Sequence, residues 1–284
     1  MIKLAKVSKR FKNSDVLKSI DLEINRGQRV ALVGSNGAGK TTLIRCLLGE
    51  YNSQGLITID NQDPREFRQQ VLSKIGFVPQ LPPPLRMPVG QLVQFAASLC
   101  KSDKERMNNL AEKLGFDARA FKHQPFVKLS GGQKQKLLIS IALGRDSELL
   151  VMDEPAANLD PEARHILFEL LAEKQETTAM LISSHRLDEV SSLVNRVVEM
   201  DQGEIVLDDN VSDLIGMSSK LVCSINMLEA DPAFAKALSI WGFKTQANET
   251  SWSGVIAGPD RLKFLGMLSR YSALISGINM SENS

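Results

Sequence analysis

The sequence predicts an α/β fold, followed by a small α+β domain. Three observations carry this. An apolar run at residues 30–33 leads into the glycine-rich stretch Gly34-Ser35-Asn36-Gly37-Ala38-Gly39-Lys40-Thr41, and residues 42–48 continue with helical character. Two further apolar runs, 149–152 and 179–182, read as buried parallel strands that end in polar groups. Beyond about residue 216 the pattern changes to short elements in the order βαββαβ.

Residues 34–41 match the phosphate-binding pattern of Gly, four residues, Gly, Lys, then Ser or Thr. Glycines let main-chain N–H groups turn inward around phosphate oxygens, and the helix that follows adds its positive end. Lys40 is expected on the β and γ phosphates, and Thr41 on Mg²⁺.

The elements follow in order. Residues 2–7 and 16–24 alternate apolar with polar and read as strands, with Asn25-Arg26-Gly27 turning the chain toward the loop strand. Phe11, between these two strands, is placed to stack on an adenine base or to fill a small core. Short strands are expected at 56–59 and 75–78. Gln80 follows the second, at a strand end near the phosphate loop where it can meet Mg²⁺ or the attacking water. Pro82-Pro83-Pro84 then makes a stiff, extended surface segment. From 89 to about 114 apolar residues recur at three and four, so a helical insertion interrupts the sheet. Residues 116–127 read as loop and a short helix.

Ser130-Gly131-Gly132-Gln133 opens a helix that runs to Leu143, with Ser130 as N-cap. Two glycines at a helix start leave N–H groups approachable by an anion. Both phosphate-type helix starts can serve one nucleotide, or the second can serve a nucleotide held by another copy. The strand at 149–152 ends in Asp153-Glu154-Pro155. Successive strand side chains point to opposite sides, so Asp153 aims at a metal while Glu154 aims at a water in line with the γ-phosphate. Asn158-Leu159-Asp160 precedes Pro161, a favourable first helical residue. The strand at 179–182 ends at Ser183-Ser184-His185, at a sheet edge where α/β folds bind ligands. There His185 can hydrogen-bond the γ-phosphate. His123 and His165 lie beside no chemistry. Residues 197–200 and 204–207 flank Asp201-Gln202-Gly203 and read as a closing hairpin.

Composition excludes several classes. The net charge of +1 provides no general field for nucleic acid. Cys46, Cys100 and Cys223 lie far apart, which argues against a disulfide framework or a zinc site and for a reducing cytosol. The charged start of the chain does not read as a signal peptide, and no apolar stretch approaches the ~20 residues that span a bilayer.

Taken together, residues 1–215 resemble the nucleotide-binding subunit of an ATP-binding cassette (ABC) transporter. The resemblance rests on GSNGAGKT at 34–41, Gln80, LSGGQ at 129–133, LLVMDEP at 149–155, NLD at 158–160 and His185, all in the family's order. It implies a P-loop cassette with a mixed sheet core, an antiparallel β subdomain and a helical subdomain at about 86–145. It also implies a head-to-tail homodimer with two ATP molecules in its interface. Each ATP then lies between one subunit's Phe11, Gly34, Ser35, Asn36, Gly37, Ala38, Gly39, Lys40, Thr41 and Thr42 and the other's Ser130, Gly131, Gly132 and Gln133. On this resemblance Glu154 polarises the water, Thr41, Gln80 and Asp153 surround Mg²⁺, His185 meets the γ-phosphate, and Asp160 communicates across the dimer. Integral membrane permease subunits dock near the Gln80 loop. This sets the protein on the cytoplasmic side of the inner membrane, with room for a periplasmic or accessory component and no role for nucleic acid. Two departures stand out: residues 123–128 lack a Glu-containing stretch common in fused exporters, and Asn158 replaces a small residue.

Residues 216–284 lie outside the cassette. Strands at 220–225, 243–247, 252–256 and 274–278 and helices at 232–241 and 259–271 suggest a ferredoxin-like domain. Short domains of this kind are similar to those of ATPases paired with ABC-2 type permeases, including drug, lipid and copper-linked exporters. The expected activity is ATP hydrolysis that powers such a permease. The alternative is a soluble cassette acting on ribosomes or DNA. It lacks support from paired cassettes, a coiled-coil insertion or zinc cysteines.

Overall fold

The computed structural model describes the chain except residues 13, 175, 186, 191–192, 211–219, 246–249, 258–260 and 283–284. It separates into two compact units, Met1–His185 with Arg196–Asp209, and Arg186–Asn195 with Asn210–Ser284. The expected boundary at 215/216 lies outside the described residues.

The first unit holds two sheets and a helical block. Strands β1 (Ile2–Phe11), β2 (Ser14–Ile24) and β4 (Gln54–Ile59) form an antiparallel sheet in the order β2-β1-β4. Alternating burial along β1 and β2 gives this sheet one apolar face. The larger sheet has the order β5-β6-β7-β3-β8-β9, built from β3 (Arg29–Val33), β5 (Ile75–Val78), β6 (Leu149–Asp153), β7 (Ala179–Ser184), β8 (Arg196–Asp201) and β9 (Glu204–Asn210). Strands β5, β6, β7, β3 and β8 are mutually parallel. Their near-continuous apolar runs follow from burial on both faces. Helix α1 (Lys40–Leu47) places Leu43, Ile44 and Leu47 in one apolar core with Ile2, Leu4, Val30, Leu32 and Val151. The two sheets therefore share α1 as their common filling.

The helical block comprises α3 (Val89–Cys100), α4 (Lys104–Lys113) and α5 (Gly131–Leu143), with a core of its own around Met107, Phe116, Phe126 and Leu137. It sits where the three-and-four periodicity of 89–114 places it. Residues 116–127 are mostly turns, ending in a single 3-10 turn at Phe126–Lys128. Helix α6 (Pro161–Ala172) starts at Asp160, whose carboxylate accepts the Ala163 N–H at 2.9 Å. A short helix α2 (Arg68–Ser73) was not expected; it buries only Val71 and leaves little periodic signal. Strand β1 also runs four residues past the expected end. Phe11 is its last residue, paired with Ser14, and not part of a loop between strands.

The second unit contains α7 (Leu187–Val190) and the C-terminal domain: β10 (Lys220–Met227), α8 (Pro232–Ile240), β11 (Lys244–Thr245), β12 (Ser251–Ala257), α9 (Arg261–Ser269) and β13 (Ile275–Glu282). The sheet order is β11-β12-β10-β13, and every pairing is antiparallel. This is the ferredoxin-like arrangement. Its core holds Phe234, Phe243, Trp252 and Phe264, with Phe243 and Phe264 stacked at 4.9 Å between ring centres. The expected strand over 243–247 is seen as two residues, and 246–247 lie outside the described residues, as do 259–260 of the expected last helix. The final strand begins at Ile275, because a 3-10 turn at Ser272–Leu274 takes the place of its expected start.

Candidate functional site

Because β7 lies between β3 and β6, three neighbouring parallel strands end side by side. Val33 stands beside Ser184, and Asp153 beside Ser183. Beyond those ends lie Gly34 to Lys40, Glu154 and His185. Ligands bind at this edge in open α/β sheets.

Gly34 leaves β3 at φ 146°, and a Cβ on it would lie 2.2 Å from the Met200 carbonyl oxygen. No side chain fits there, so the loop can turn tightly only with glycine. At Gly37 nothing lies within 4 Å of an added Cβ, so the crown of the loop faces open space. Lys40 folds back inside the loop. Its Nζ donates to the Gly34 carbonyl at 2.6 Å and to the Ser35 carbonyl at 3.2 Å, and the residue is buried. Burial pulls the Lys40 ammonium below the ordinary lysine value, and the carboxylates of Glu154 and Asp153 oppose that fall.

Asp153 and Glu154 are both buried. The Ser183 hydroxyl donates to Asp153 Oδ1 at 2.6 Å and accepts the Glu154 N–H at 2.9 Å. Glu154 stands in the left-handed region at φ 50°, which strains a side-chain-bearing residue by about 1–3 kcal/mol. That backbone turn directs its carboxylate to His185 Nδ1 at 2.9 Å and to Lys40 Nζ at 3.9 Å. The His185 side chain is half exposed, so its ring bridges Glu154 and solvent. Lys40, Asp153, Glu154 and His185 thus stand together at the strand ends.

Among the described residues, Phe11, Gln80 and residues 130–133 make no hydrogen bond or ion pair to this cluster. Gln80 is exposed just beyond β5, and Phe11 packs edge-on against Tyr51 at 5.2 Å with Lys9 Nζ 4.6 Å from its ring centre. At the start of α5, Ser130 and Gln133 form a reciprocal capping box. That helix start is open: an added Cβ on Gly131 meets nothing within 4 Å. Among the described residues no hydrogen bond or ion pair links Ser130, Gly131, Gly132 or Gln133 to the Gly34–Lys40 loop of the same chain. Sequence reasoning named Ser183 only as part of a strand end and gave it no role; its hydroxyl holds the Asp153 carboxylate and the Glu154 main chain. Its place one strand over from Asp153 is a register fact with no local signal.

The oxygen donors offered by Thr41, Gln80 and Asp153 are a hydroxyl, an amide and a carboxylate, the hard set that suits Mg²⁺. Among the described residues no cluster of three or more His, Cys, Asp or Glu forms a dedicated metal cage.

The ABC transporter family profile matches residues 17–157. The arginine transport ATP-binding protein ArtM of Bacillus subtilis is 34% identical over 238 residues, covering 81% of this chain and 99% of that protein. This chain belongs to the ATP-binding subunits of ABC transporters. The Nod factor export ATP-binding protein I of Cupriavidus pinatubonensis is 32% identical over 233 residues, covering 79% of this chain and 70% of that protein. Among solved structures, cbiO1 of Clostridium perfringens, part of the cbiONQ transporter complex, is 29% identical with a TM-score of 0.59, covering 74% of this chain and 88% of that one. The cassette MJ0796, solved as a post-hydrolysis dimer with ADP and Pi, shares the fold at 23% identity and a TM-score of 0.66, covering 75% of this chain and 100% of that one. As a member of this ABC family the chain is an ATPase. Among the described residues no helix is long and apolar enough to cross a membrane.

Proposed function

We propose that this chain works as a head-to-tail homodimer whose ATP-driven closure powers a separately encoded membrane permease of the ABC-2 export type. The observation that supports the dimer is that the Lys40, Asp153, Glu154 and His185 cluster shares its chain with an open helix start at Gly131. Two such chains, related head to tail, bring each Gly131 helix start to the other's Lys40 loop.

In this reading the Gly34–Thr42 main chain and Lys40 hold the phosphates, and Phe11 meets the base. Glu154, aimed by its strained backbone, takes a proton from the attacking water. His185 holds both the Glu154 carboxylate and the γ-phosphate. Thr41, Gln80 and Asp153 hold Mg²⁺, which when bound neutralises charge on the phosphate oxygens. Asp160 communicates between subunits.

Leu81, Phe95 and Leu99 support a permease dock: they are 72%, 55% and 65% exposed. Leu81 directly precedes the proline run, and Phe95 and Leu99 share one face of α3, one helical turn apart. The permease class is supported by the C-terminal domain. The arginine transport relative is nearly used up by its match, whereas about a fifth of this chain is left over. The import named for a glutamate/aspartate relative in Escherichia coli, 34% identical, argues against export, and the export named for the Nod factor relative agrees with it. Pull-down of the tagged chain from solubilised native membranes tests the proposal. An ABC-2 permease that alters the ATPase rate supports it. An amino-acid import permease overturns the export assignment, and ribosomal or DNA-repair partners without a membrane protein overturn the transporter role.

A further inference from the structure

Phe11 is braced from two sides at the end of β1. Lys9, two residues earlier on the same strand, lies over its ring with Nζ 4.6 Å from the ring centre. That ammonium is itself fixed, because Nζ donates to the Asn52 carbonyl at 2.6 Å. Tyr51 meets Phe11 edge-on with the ring planes 81° apart, and the same Nζ lies 5.7 Å from the Tyr51 ring centre. Tyr51 is anchored in turn. Its hydroxyl accepts from Arg45 Nη1 at 2.7 Å, and its ring packs against the core that α1 fills. Arg45 lies in the last turn of α1, the helix that opens at Lys40. Contacts therefore run from the phosphate-loop helix through Tyr51 to Phe11, and Lys9 closes them from β1.

This brace decides what the Phe11 ring can do. A cation over an aromatic ring is attracted by the negative charge of that face, and it occupies the face. Phe11 nonetheless remains 39% exposed, more than a ring that merely fills a core. A flat ligand can stack only on the face away from Lys9. There the ammonium has drawn electron density from the ring, so a second π system is repelled less and an electron-rich purine stacks better.

We propose that Lys9 is a positioning residue for base recognition, which holds the Phe11 ring in the orientation on which a purine stacks. This rests on the reading above that Phe11 meets the base. Lys9 acts through Phe11, not by touching the nucleotide, so its loss lowers affinity and spares turnover. A ring that is not held must be ordered when the base arrives, and ordering one side chain weakens binding by about two- to tenfold. The phosphate contacts of the Gly34–Thr42 loop stay as they are.

The test is equilibrium binding by calorimetry in a Glu154→Gln background, with ATP and inorganic tripolyphosphate as probes. The second probe carries phosphates and no base. Lys9→Met keeps the apolar stem and removes the charge. It should weaken ATP binding by about three- to fivefold and leave tripolyphosphate binding unchanged. Lys9→Arg should restore ATP binding, since a guanidinium also sits over an aromatic face. In a Phe11→Ala background, Lys9→Met should have no further effect, because the two residues act as one unit. With Glu154 intact, Lys9→Met should raise KM for ATP by the same factor while kcat stays within about twofold. Full ATP affinity in Lys9→Met, beside weakened binding in Phe11→Ala, overturns the role of Lys9 and leaves Phe11 on the base. So does a loss shared by tripolyphosphate, which would put the Lys9 charge on the phosphates, or a loss that Lys9→Arg fails to restore. Undiminished ATP affinity in Phe11→Ala overturns the base reading itself, and the proposal with it.

Discussion

Gly131→Ala separates the stability of the cassette from its action. Gly131 opens α5, and an added Cβ meets no atom within 4 Å. Alanine there introduces no clash. It removes conformational freedom from the unfolded chain and should stabilise the free protein by about 0.5–1 kcal/mol. For a domain of this size that raises the melting midpoint by about 1–4 °C. The same open space is where the partner's phosphates are proposed to sit. A methyl group there holds the phosphate oxygens away from the helix-start N–H groups. Losing one charge-assisted hydrogen bond costs about 1.5–3 kcal/mol, or about ten- to a hundredfold in affinity. The assays are nucleotide-free thermal unfolding and ATP-dependent dimerisation by light scattering. A stabilised monomer that no longer dimerises is the expected pair. Full dimerisation and turnover in Gly131→Ala would refute the trans placement of this helix start.

Other outcomes follow from the same cluster. Lys40→Met should abolish turnover and stabilise the nucleotide-free protein at neutral pH. The folded-state pKa of Lys40 lies below its ordinary 10.5. The folded state therefore binds fewer protons between those values, and the wild type gains stability as pH rises through that window. The stability gap should be full below the depressed pKa and shrink toward pH 10.5; a gap that widens on raising the pH would contradict the assignment. Ser183→Ala leaves the buried Asp153 Oδ1 without its hydroxyl donor and the Glu154 N–H with only the residue-183 carbonyl, which should cost about 1–3 kcal/mol in urea unfolding and lower kcat as well. An unchanged denaturation midpoint would show that the hydroxyl bears no such duty.

What the sequence shows of this molecule depends on how locally each feature is determined. The runs at β3, β6 and β7 are legible because strands buried on both faces must be apolar throughout. Helix α5 is legible to the residue because Ser130 and Gln133 cap each other. The outer half of β1 is not, since Arg10 is exposed, Lys9 is half-buried and register shifts break the alternation. Nor is α2, whose apolar signal is a single valine. At the site, every member of the acidic and basic cluster could be read from motif order. The left-handed backbone of Glu154 could not, because it is held by tertiary hydrogen bonds that the Glu154 N–H donates to Ser183. The Lys136–Asp160 contact is equally silent in sequence: its two partners are joined by the fold alone, across the intervening strand β6.

The central claim is that two copies build the hydrolytic site between them. Light scattering of Glu154→Gln with and without saturating ATP and Mg²⁺ tests it most directly. The account predicts a monomer without nucleotide and twice the chain mass with it, reverting on removal of ATP. A mass that stays that of one chain at saturating ATP, in a protein shown to bind the nucleotide, would contradict it.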